Sequence, residues 1–285
     1  MAEKLLAKNL FSLKGKVSLI TGGGTGLGKM ISKAFIMNGA KVYIASRKQR
    51  NLEEAAAELN SLGGSECIPI KADVSIKEEC EKISNEINRR ENGKLDILIN
   101  NAGIAFGAPL TKITEDIWDK SHKLNVASVY HMTMACLPLL EKASHAPEDP
   151  SRVIVMGSIS GLSEGDLKGI VGKFYNISLA YNCTKAAVHS LAMNLAVYLT
   201  PRGVNVNVMA PGVILTPMTS HQDQKLSISE VPQGRLGDEA DIAGTALYLA
   251  SRAGAWLTGS VIKLDGGTIL RNKELAKDFA IAAKS

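Results

Sequence analysis

The stretch Thr21-Gly-Gly-Gly-Thr-Gly-Leu-Gly28 decides the fold of this 285-residue chain, because it stands between an apolar run, 17–20, and a helix-like run, 29–38. Glycine lets the backbone approach a ligand closely, and the first turn of the following helix presents free N–H groups and a positive dipole end to an anion. The order of strand, glycine turn and helix therefore predicts a cradle for a pyrophosphate. The glycine spacing departs from the G-x-G-x-x-G pattern, so a turn that only joins strand to helix stays the alternative.

Short apolar runs alternate with helical patterns along the chain. The run 95–99 is apolar at nearly every position, which is typical of a strand buried on both faces. Alternation of such strands with helices predicts a single α/β domain built on a parallel sheet that is covered on both sides. The predicted strands are 17–20, 42–45, 67–72, 95–99, 153–156, 204–210 and 261–264, and the predicted helices are 29–38, 51–62, 76–87, 114–140, 180–199 and 239–250.

The composition limits the class of protein. With 45% hydrophobic and 21% charged residues, the chain can bury a sizeable core. The net charge of +5 favours anionic ligands, but aromatic residues make up only 5% and no dense Lys/Arg run is present, so we expect no nucleic-acid partner. No apolar stretch is long enough to span a membrane, and the four cysteines form no C-x-x-C pair. We therefore expect a cytoplasmic protein with reduced thiols, and import into an organelle is the alternative.

Polar and glycine residues follow the predicted strands, at the edge where parallel sheets bind ligands. Ser46, Arg47 and Lys48 come after the second strand, where an NAD-binding protein usually has an acidic residue. A guanidinium can pair with a 2′-phosphate through two hydrogen bonds, which predicts NADP as the cofactor. Ordinary solvated charges at a strand end are the alternative. After the later strands the same edge carries Asp73, 100–103, 157–161 and 211–216.

One tyrosine has a lysine four residues further along the chain. Tyr181 and Lys185 fall in a predicted helix, where this spacing places both side chains on one face. A phenol is a poor acid at neutral pH, and a neighbouring ammonium would bring its pKa toward the working range. The pair therefore suits proton transfer to a carbonyl oxygen. A partly buried tyrosine beside an unrelated exposed lysine is the alternative.

Five motifs in chain order resemble the short-chain dehydrogenase/reductase family. They are Thr21-Gly22-x-x-x-Gly26-x-Gly28, Asn100-Asn101-Ala102-Gly103, Ser158, Tyr181-x-x-x-Lys185 and Pro211-Gly212-x-x-x-Thr216. The resemblance covers 15–268 as one domain, with an N-terminal extension, 1–14, and a C-terminal extension, 269–285. It implies a Rossmann-type, doubly wound, seven-stranded parallel sheet with helices on both faces, and assembly as a homodimer or homotetramer. Within the family the chain looks closest to NADP-dependent 3-oxoacyl-thioester and carbonyl reductases, particularly the rhamnolipid-pathway and fungal members.

The resemblance also implies a role for each matching residue. Tyr181 would be the general acid/base, Lys185 would hold the nicotinamide ribose and lower the pKa of the tyrosine, and Ser158 would hydrogen-bond the substrate oxygen. Asn125 matches the asparagine that supports a water in the family's proton relay. The implied cofactor contacts, besides Tyr181 and Lys185, are Gly22, Gly26, Leu27 and Gly28 at the pyrophosphate, Arg47 with Ser46 at the 2′-phosphate, Asp73 at the adenine, Asn101 at the adjacent ribose, and Ile214 and Thr216 at the nicotinamide end.

Two segments bear on the substrate side. Ser158 and Tyr181 are 23 positions apart, which is longer than the family's usual spacing and keeps Ser160 as an alternative to Ser158. The surplus contains 164–172, which we expect to line the mouth of the substrate pocket, and a surface loop or subunit contact is the alternative. The region 218–233 takes the place of the family's substrate lid. A terminal helix is predicted after residue 268.

These observations predict an NADP-dependent oxidoreductase that transfers a hydride between NADPH and a carbonyl or secondary alcohol, acting on a 3-oxoacyl thioester or a small ketone. A polyol or secondary-alcohol dehydrogenase is the second hypothesis. A non-catalytic NADP-sensing protein is the hypothesis from another class, and the intact Ser158, Tyr181 and Lys185 argue against it. We expect no metal site, and assign to surface or core positions the five histidines, His122, His131, His145, His189 and His221.

Overall fold

Seven parallel strands form the centre of the molecule. The computed structural model describes residues 2–144, 146–162, 178–216, 228–229 and 231–270. The strands pair in parallel, in the spatial order third, second, first, fourth, fifth, sixth and seventh. They are β1 (Val17–Thr21), β2 (Lys41–Ser46), β3 (Cys67–Lys71), β4 (Ile97–Asn100), β5 (Ser151–Met156), β6 (Val204–Pro211) and β7 (Val261–Leu264).

Helices cover both faces of the sheet, as the alternating pattern predicts. All seven predicted strands are confirmed to within two residues at each end. The described helices are α1 (Ala7–Leu10), α2 (Gly26–Met37), α3 (Gln49–Ser61), α4 (Lys77–Arg90), α5 (Glu115–His122), α6 (Ser128–Ala143), α7 (Leu179–Leu199) and α8 (Glu239–Ala250). The Rossmann-type fold expected from the sequence is therefore confirmed.

The helix predicted over 114–140 is confirmed as an unbroken helical stretch from Glu115 to Ala143, but it is not α-helical throughout. A π-helical turn, Lys123–Ala127, separates α5 from α6. Inside that turn the side chain of Asn125 exchanges two hydrogen bonds with the backbone of Ile104, in the segment that follows β4. A π turn adds one residue to the helix and is frequent at functional sites. Hydrophobic spacing does not reveal it, because the apolar stripe continues on both sides of the turn.

The sheet is the middle layer between two hydrophobic cores. Neighbouring residues of a strand point to opposite faces, so Leu19 of β1 packs with α4, α6 and α7, whereas Ile20 packs with α2, α3 and α8. Both side chains are fully buried. This is why most positions of the central strands β1, β4 and β5 are apolar.

The order of the strands determines where a ligand can bind. From β1 the chain moves outward to β2 and β3, and then crosses back to place β4 on the other side of β1. The crossovers on the two sides diverge, which leaves a crevice beyond the carboxyl ends of β1 and β4. The glycine turn, the segment after β4 and the segment after β5 all open into this crevice.

Several predictions fall on segments that the structure does not describe. The segment 164–172, most of the region 218–233 and the helix predicted after residue 268 lie outside the described residues. The division into 1–14, 15–268 and 269–285 also stays a prediction. Among the described helices, none is both long and apolar enough to cross a membrane.

Candidate active site

The glycine turn after β1 is built so that backbone atoms pack closely. A side chain at Gly28 would collide with the carbonyl oxygen of Gly22, and a Cβ at Gly22 would lie 2.8 Å from Nδ2 of Asn101. Gly22 also has a φ of +67°, a backbone conformation that residues with a Cβ rarely adopt. The cavity beside this turn is lined by Gly22, Gly26 and Leu27, at the first turn of α2. The free N–H groups of that turn can donate hydrogen bonds to the oxygens of a pyrophosphate.

Thr21 joins this turn to the neighbouring strand. Its hydroxyl oxygen accepts hydrogen bonds from the backbone N–H groups of Asn101 and Ala102, each at 3.0 Å. In return the side-chain amide of Asn101 donates to the carbonyl oxygen of Thr21 at 2.9 Å. The predicted pyrophosphate turn and the predicted ribose residue are therefore one connected unit.

A cavity of about 230 Å³ lies at the carboxyl ends of the strands. It brings together predicted site residues from five separate stretches of the chain, and Ser158 lines it together with Tyr181 and Lys185. The predicted site residues in its wall are Gly22, Gly26, Leu27, Asn101, Ser158, Tyr181, Lys185, Ile214 and Thr216.

The residues predicted to hold the adenosine end lie further out, at the ends of β2 and β3. Arg47 NH1 is 3.9 Å from a carboxylate oxygen of Asp73, and the Arg47 side chain is 64% exposed. The other Asp73 oxygen accepts hydrogen bonds from the backbone and hydroxyl of Ser75. Ser46 ends β2 beside Arg47. This exposed guanidinium can turn toward a phosphate at the edge of the crevice.

Tyr181 and Ser158 meet in the cavity. Tyr181 is in the first turn of α7, and Ser158 follows β5 in an extended conformation. Burial raises the pKa of the Tyr181 phenol above its ordinary value, and a hydrogen bond with the Ser158 side chain acts in the lowering direction. The hydroxyl of Ser158 also accepts a hydrogen bond from the backbone N–H of Ser160. Ser160 thus supports Ser158, which favours Ser158 over the alternative.

Lys185 lies one helical turn beyond Tyr181 and is only 5% exposed. Its ammonium donates a 2.6 Å hydrogen bond to the carbonyl oxygen of Met156, and it lies 5.5 Å from the centroid of the Tyr181 ring. Burial lowers the Lys185 pKa to about 8. In the Tyr181 pKa itself, burial is the largest effect and the Ser158 hydrogen bond opposes it, so the lowering of this pKa by Lys185 stays a prediction.

Asn125 connects the π turn to α7. Its side-chain amide donates to the hydroxyl of Thr184 at 3.0 Å, and that hydroxyl donates to the carbonyl oxygen of Tyr181 at 2.8 Å. With its two bonds to Ile104, both amide hydrogens of Asn125 are used and its oxygen accepts one hydrogen bond. The segment after β4 and the turn that carries Tyr181 are therefore held together by one side chain.

The sequence argument missed His189 as a site residue. His189 lies one turn beyond Lys185, and the backbone N–H of Ser158 donates to its Nε2 at 3.3 Å. The spacing of four residues from Lys185 was the available signal, but the lack of a ligand-like cluster assigns His189 only to a surface or core position. Within the described part of the chain, no group of three or more potential ligands is placed to hold a metal ion.

A doubly wound sheet, a glycine-lined crevice at its switch point, and a tyrosine in that crevice one helical turn from a buried lysine define a dinucleotide-binding oxidoreductase. Residues 22–268 match a family model described as enoyl-(acyl carrier protein) reductase. The rhamnolipids biosynthesis 3-oxoacyl-[acyl-carrier-protein] reductase of Pseudomonas aeruginosa is 37% identical over 262 residues, which is 90% of this chain and 97% of the relative. The short-chain dehydrogenase/reductase PhomF of Diaporthe leptostromiformis is 35% identical over 295 residues, which is 94% of this chain and 96% of the relative.

A solved structure gives the same result. The Pseudomonas aeruginosa RhlG/NADP active-site complex superposes with a TM-score of 0.83 at 37% identity, and the match covers 91% of this chain and 98% of that one. The chain belongs to the short-chain dehydrogenase/reductase family. The resemblance inferred from the five motifs, including its rhamnolipid-pathway and fungal members, is confirmed.

Proposed function

We propose that this protein is an NADPH-dependent carbonyl reductase that acts on a 3-oxoacyl thioester or a small ketone. The observation that carries the proposal is the meeting of Ser158, Tyr181 and Lys185 in one cavity with the glycine turn. The 3-oxoacyl-[acyl-carrier-protein] reductase of Pseudomonas aeruginosa, at 37% identity, supports the substrate class, and the solved RhlG/NADP complex supports the cofactor.

The crevice has a place for each part of the cofactor. The glycine turn and Leu27 would hold the pyrophosphate, Arg47 with Ser46 the 2′-phosphate, and Asp73 the adenine. Asn101 would contact the adjacent ribose, Lys185 the nicotinamide ribose, and Ile214 and Thr216 the nicotinamide end. When bound, NADPH supplies the hydride for the carbonyl carbon.

Tyr181 supplies the proton. The phenol is protonated at neutral pH, and its proton can pass to the carbonyl oxygen as that oxygen gains negative charge during reduction. Burial raises the Tyr181 pKa, and the hydrogen bond with Ser158 opposes this effect. The Ser158 hydroxyl holds the carbonyl oxygen beside the phenol. Lys185, with a pKa of about 8, carries its positive charge in most molecules at pH 7 and favours the phenolate that remains. Asn125 fixes the turn that carries Tyr181.

Two other functions use the same crevice. A polyol or secondary-alcohol dehydrogenase would need the same three residues and differs only in substrate and direction. A protein that senses NADP without turnover has no need for a buried lysine, whose desolvation costs stability. The complete set of Ser158, Tyr181 and Lys185 therefore favours an enzyme.

We also propose that the protein is a cytoplasmic homodimer or homotetramer. Three residues of α7, namely Met193, Val197 and Tyr198, form an exposed stripe, with Val197 69% and Tyr198 71% exposed. An apolar stripe of this kind is typical of a surface that another copy covers. Light scattering on the purified protein gives the subunit number. The free thiols Cys67, Cys80, Cys136 and Cys183 fit a reducing compartment.

The function is tested by following NADPH oxidation with a panel of substrates. The panel contains a 3-oxoacyl thioester, a 2-enoyl thioester, a simple ketone, a diketone and a ketose, each with NADPH and with NADH. We expect NADPH-selective reduction of the 3-oxoacyl thioester or a ketone. Reduction of the enoyl thioester alone would contradict the assignment to carbonyl groups. Tight NADPH binding without turnover of any compound would favour the sensing protein.

A further inference from the structure

His189 touches the backbone of a proposed catalytic residue. Tyr181, Lys185 and His189 follow one another at intervals of four along α7, so their side chains lie on one face of the helix. The ring of His189 is 3% exposed, and its Nε2 accepts the hydrogen bond from the N–H of Ser158. This histidine is therefore the third residue of the row that faces the end of β5.

The absence of a side chain at Gly157 leaves room for the ring of His189. A Cβ at Gly157 would lie 2.7 Å from Cδ2 of His189 and still closer to Nε2. The same Cβ would lie 2.7 Å from Cγ1 of Val208, on the neighbouring strand β6. Glycine at position 157 thus lets the imidazole approach the backbone at the point where β5 passes into Ser158.

The hydrogen bond specifies the form of the ring. Nε2 can accept only if it carries no proton, so the neutral ring holds its proton on Nδ1. Burial, together with the positive charge of Lys185, lowers the His189 pKa to about 4 and keeps the ring neutral. Nδ1 has no hydrogen-bond partner among the residues that the structure describes. A buried donor without a partner weakens the folded state, so fold stability alone does not account for a histidine here.

We propose that His189 is a positioning residue, which holds the hydroxyl of Ser158 against the substrate oxygen by accepting the hydrogen bond from the Ser158 backbone. The inference rests on the proposed function, because it gives His189 a role in that same reaction.

The position of the Ser158 hydroxyl depends on its backbone. β5 ends at Met156, and Ser158 follows it after Gly157. Its φ of −168° leaves Ser158 extended, outside any helix or strand. Three hydrogen bonds restrain it, one from Ser160 to its hydroxyl, one from its own N–H to His189, and one from the N–H of Gly161 to its carbonyl oxygen. Because small displacements of a reacting group reduce the rate strongly, loss of the second bond lowers turnover even though Ser158 itself remains.

The test compares His189→Leu with His189→Gln. The Oε1 atom of glutamine can take the place of Nε2 as the acceptor, whereas leucine has no acceptor. We expect His189→Leu to lower kcat about tenfold, which is the order expected for one hydrogen bond, with the KM for NADPH unchanged. We expect His189→Gln to recover most of that loss. Thermal unfolding of each variant shows that the fold is retained.

Repeating the substitution in a Ser158→Ala background separates positioning from a general structural effect. If His189 acts through Ser158, His189→Leu has no further effect on kcat once the hydroxyl is gone. An equal loss in both backgrounds, or a Gln variant as slow as the Leu variant, would overturn the proposal.

A spectroscopic measurement keeps the inference independent of the assay. The ¹⁵N NMR spectrum of histidine-labelled protein reports which ring nitrogen carries the proton. The signal of His189 is the one that disappears in His189→Gln, and at pH 7 we expect it to show an unprotonated Nε2 and a protonated Nδ1. A protonated Nε2 would overturn the contact whether or not a substrate has been found. Absence of turnover in the wild-type protein would count against the proposed function, whereas normal turnover in His189→Leu would count only against this inference.

Discussion

The ammonium of Lys185 is bonded to the carbonyl oxygen of Met156, 2.6 Å away, at the last residue of β5. The lysine is thereby held inside the molecule, away from water, and its pKa falls from an ordinary 10.5 to about 8. A folded-state pKa below the unfolded value means that the unfolded chain binds more protons between these two values. Stability therefore rises with pH from about 8 to 10.5, and at neutral pH the full cost of the buried charge is present.

Lys185→Met removes that cost. We expect the variant to lose activity and to unfold with a free energy about 1–2 kcal/mol higher at pH 7, less than the whole pKa shift because the Met156 carbonyl loses its partner. Urea denaturation at pH 7 measures the change, with the exposed Lys82→Met as the matched control. A variant less stable than the wild type would show that the ammonium stabilises the fold.

Arg47→Ala tests the choice of cofactor. Without the guanidinium, the 2′-phosphate of NADPH would lose its hydrogen bonds to the protein. We therefore expect the Kd for NADPH to rise about 10- to 100-fold while the Kd for NADH changes little. Isothermal titration with both cofactors measures the two constants. Arg50→Ala is the control, because Arg50 is exposed, nearby and paired with Glu54. Equal weakening of both cofactors would contradict the role given to Arg47.

His189 makes the protein sensitive to acid. Its folded-state pKa of about 4 lies below the ordinary 6.5, so the unfolded chain binds the extra proton first as the pH falls. The neutral ring contributes fully to the free energy of unfolding above about pH 6.5. This contribution is lost as the pH falls from 6.5 to 4, by up to about 3 kcal/mol.

The measurement is the free energy of unfolding at pH 7 and at pH 4.5. In the wild type the free energy of unfolding should be lower at pH 4.5 than at pH 7. We expect this difference between the two pH values to be about 2 kcal/mol smaller in His189→Gln, because glutamine does not titrate. The exposed His122→Gln should leave the difference as it is. If the two variants behave alike, the buried ring is not the source of the acid sensitivity.

Much of the fold could be predicted because its signals are local. A strand buried on both faces is a run of apolar residues, and Ile97, Leu98 and Ile99 of β4 form such a run. The glycine turn also has a local signal, because its glycines stand between an apolar run and a helix-like run of the sequence. In the structure Gly28 packs against the backbone of Gly22. The site residues after each strand followed from the rule that parallel strands end at one edge.

The remaining features depend on contacts between distant parts of the chain. The π turn at Asn125 is tied to Ile104, and the neutral ring of His189 depends on Ser158 and Gly157. The burial that raises the Tyr181 pKa could not be predicted from its spacing to Lys185, because burial of the phenol is a property of the whole fold. No window of sequence contains these relationships.

Turnover by Tyr181→Phe, with an accepted carbonyl substrate and NADPH, tests the central claim most directly. Phenylalanine keeps the ring and removes only the hydroxyl, so we expect kcat to fall by about 10² to 10⁴ while the Kd for NADPH stays within about twofold. Tyr130→Phe, at an exposed tyrosine of α6, should be as active as the wild type. A Tyr181→Phe variant with wild-type turnover would contradict the account, since the proton would then come from another group.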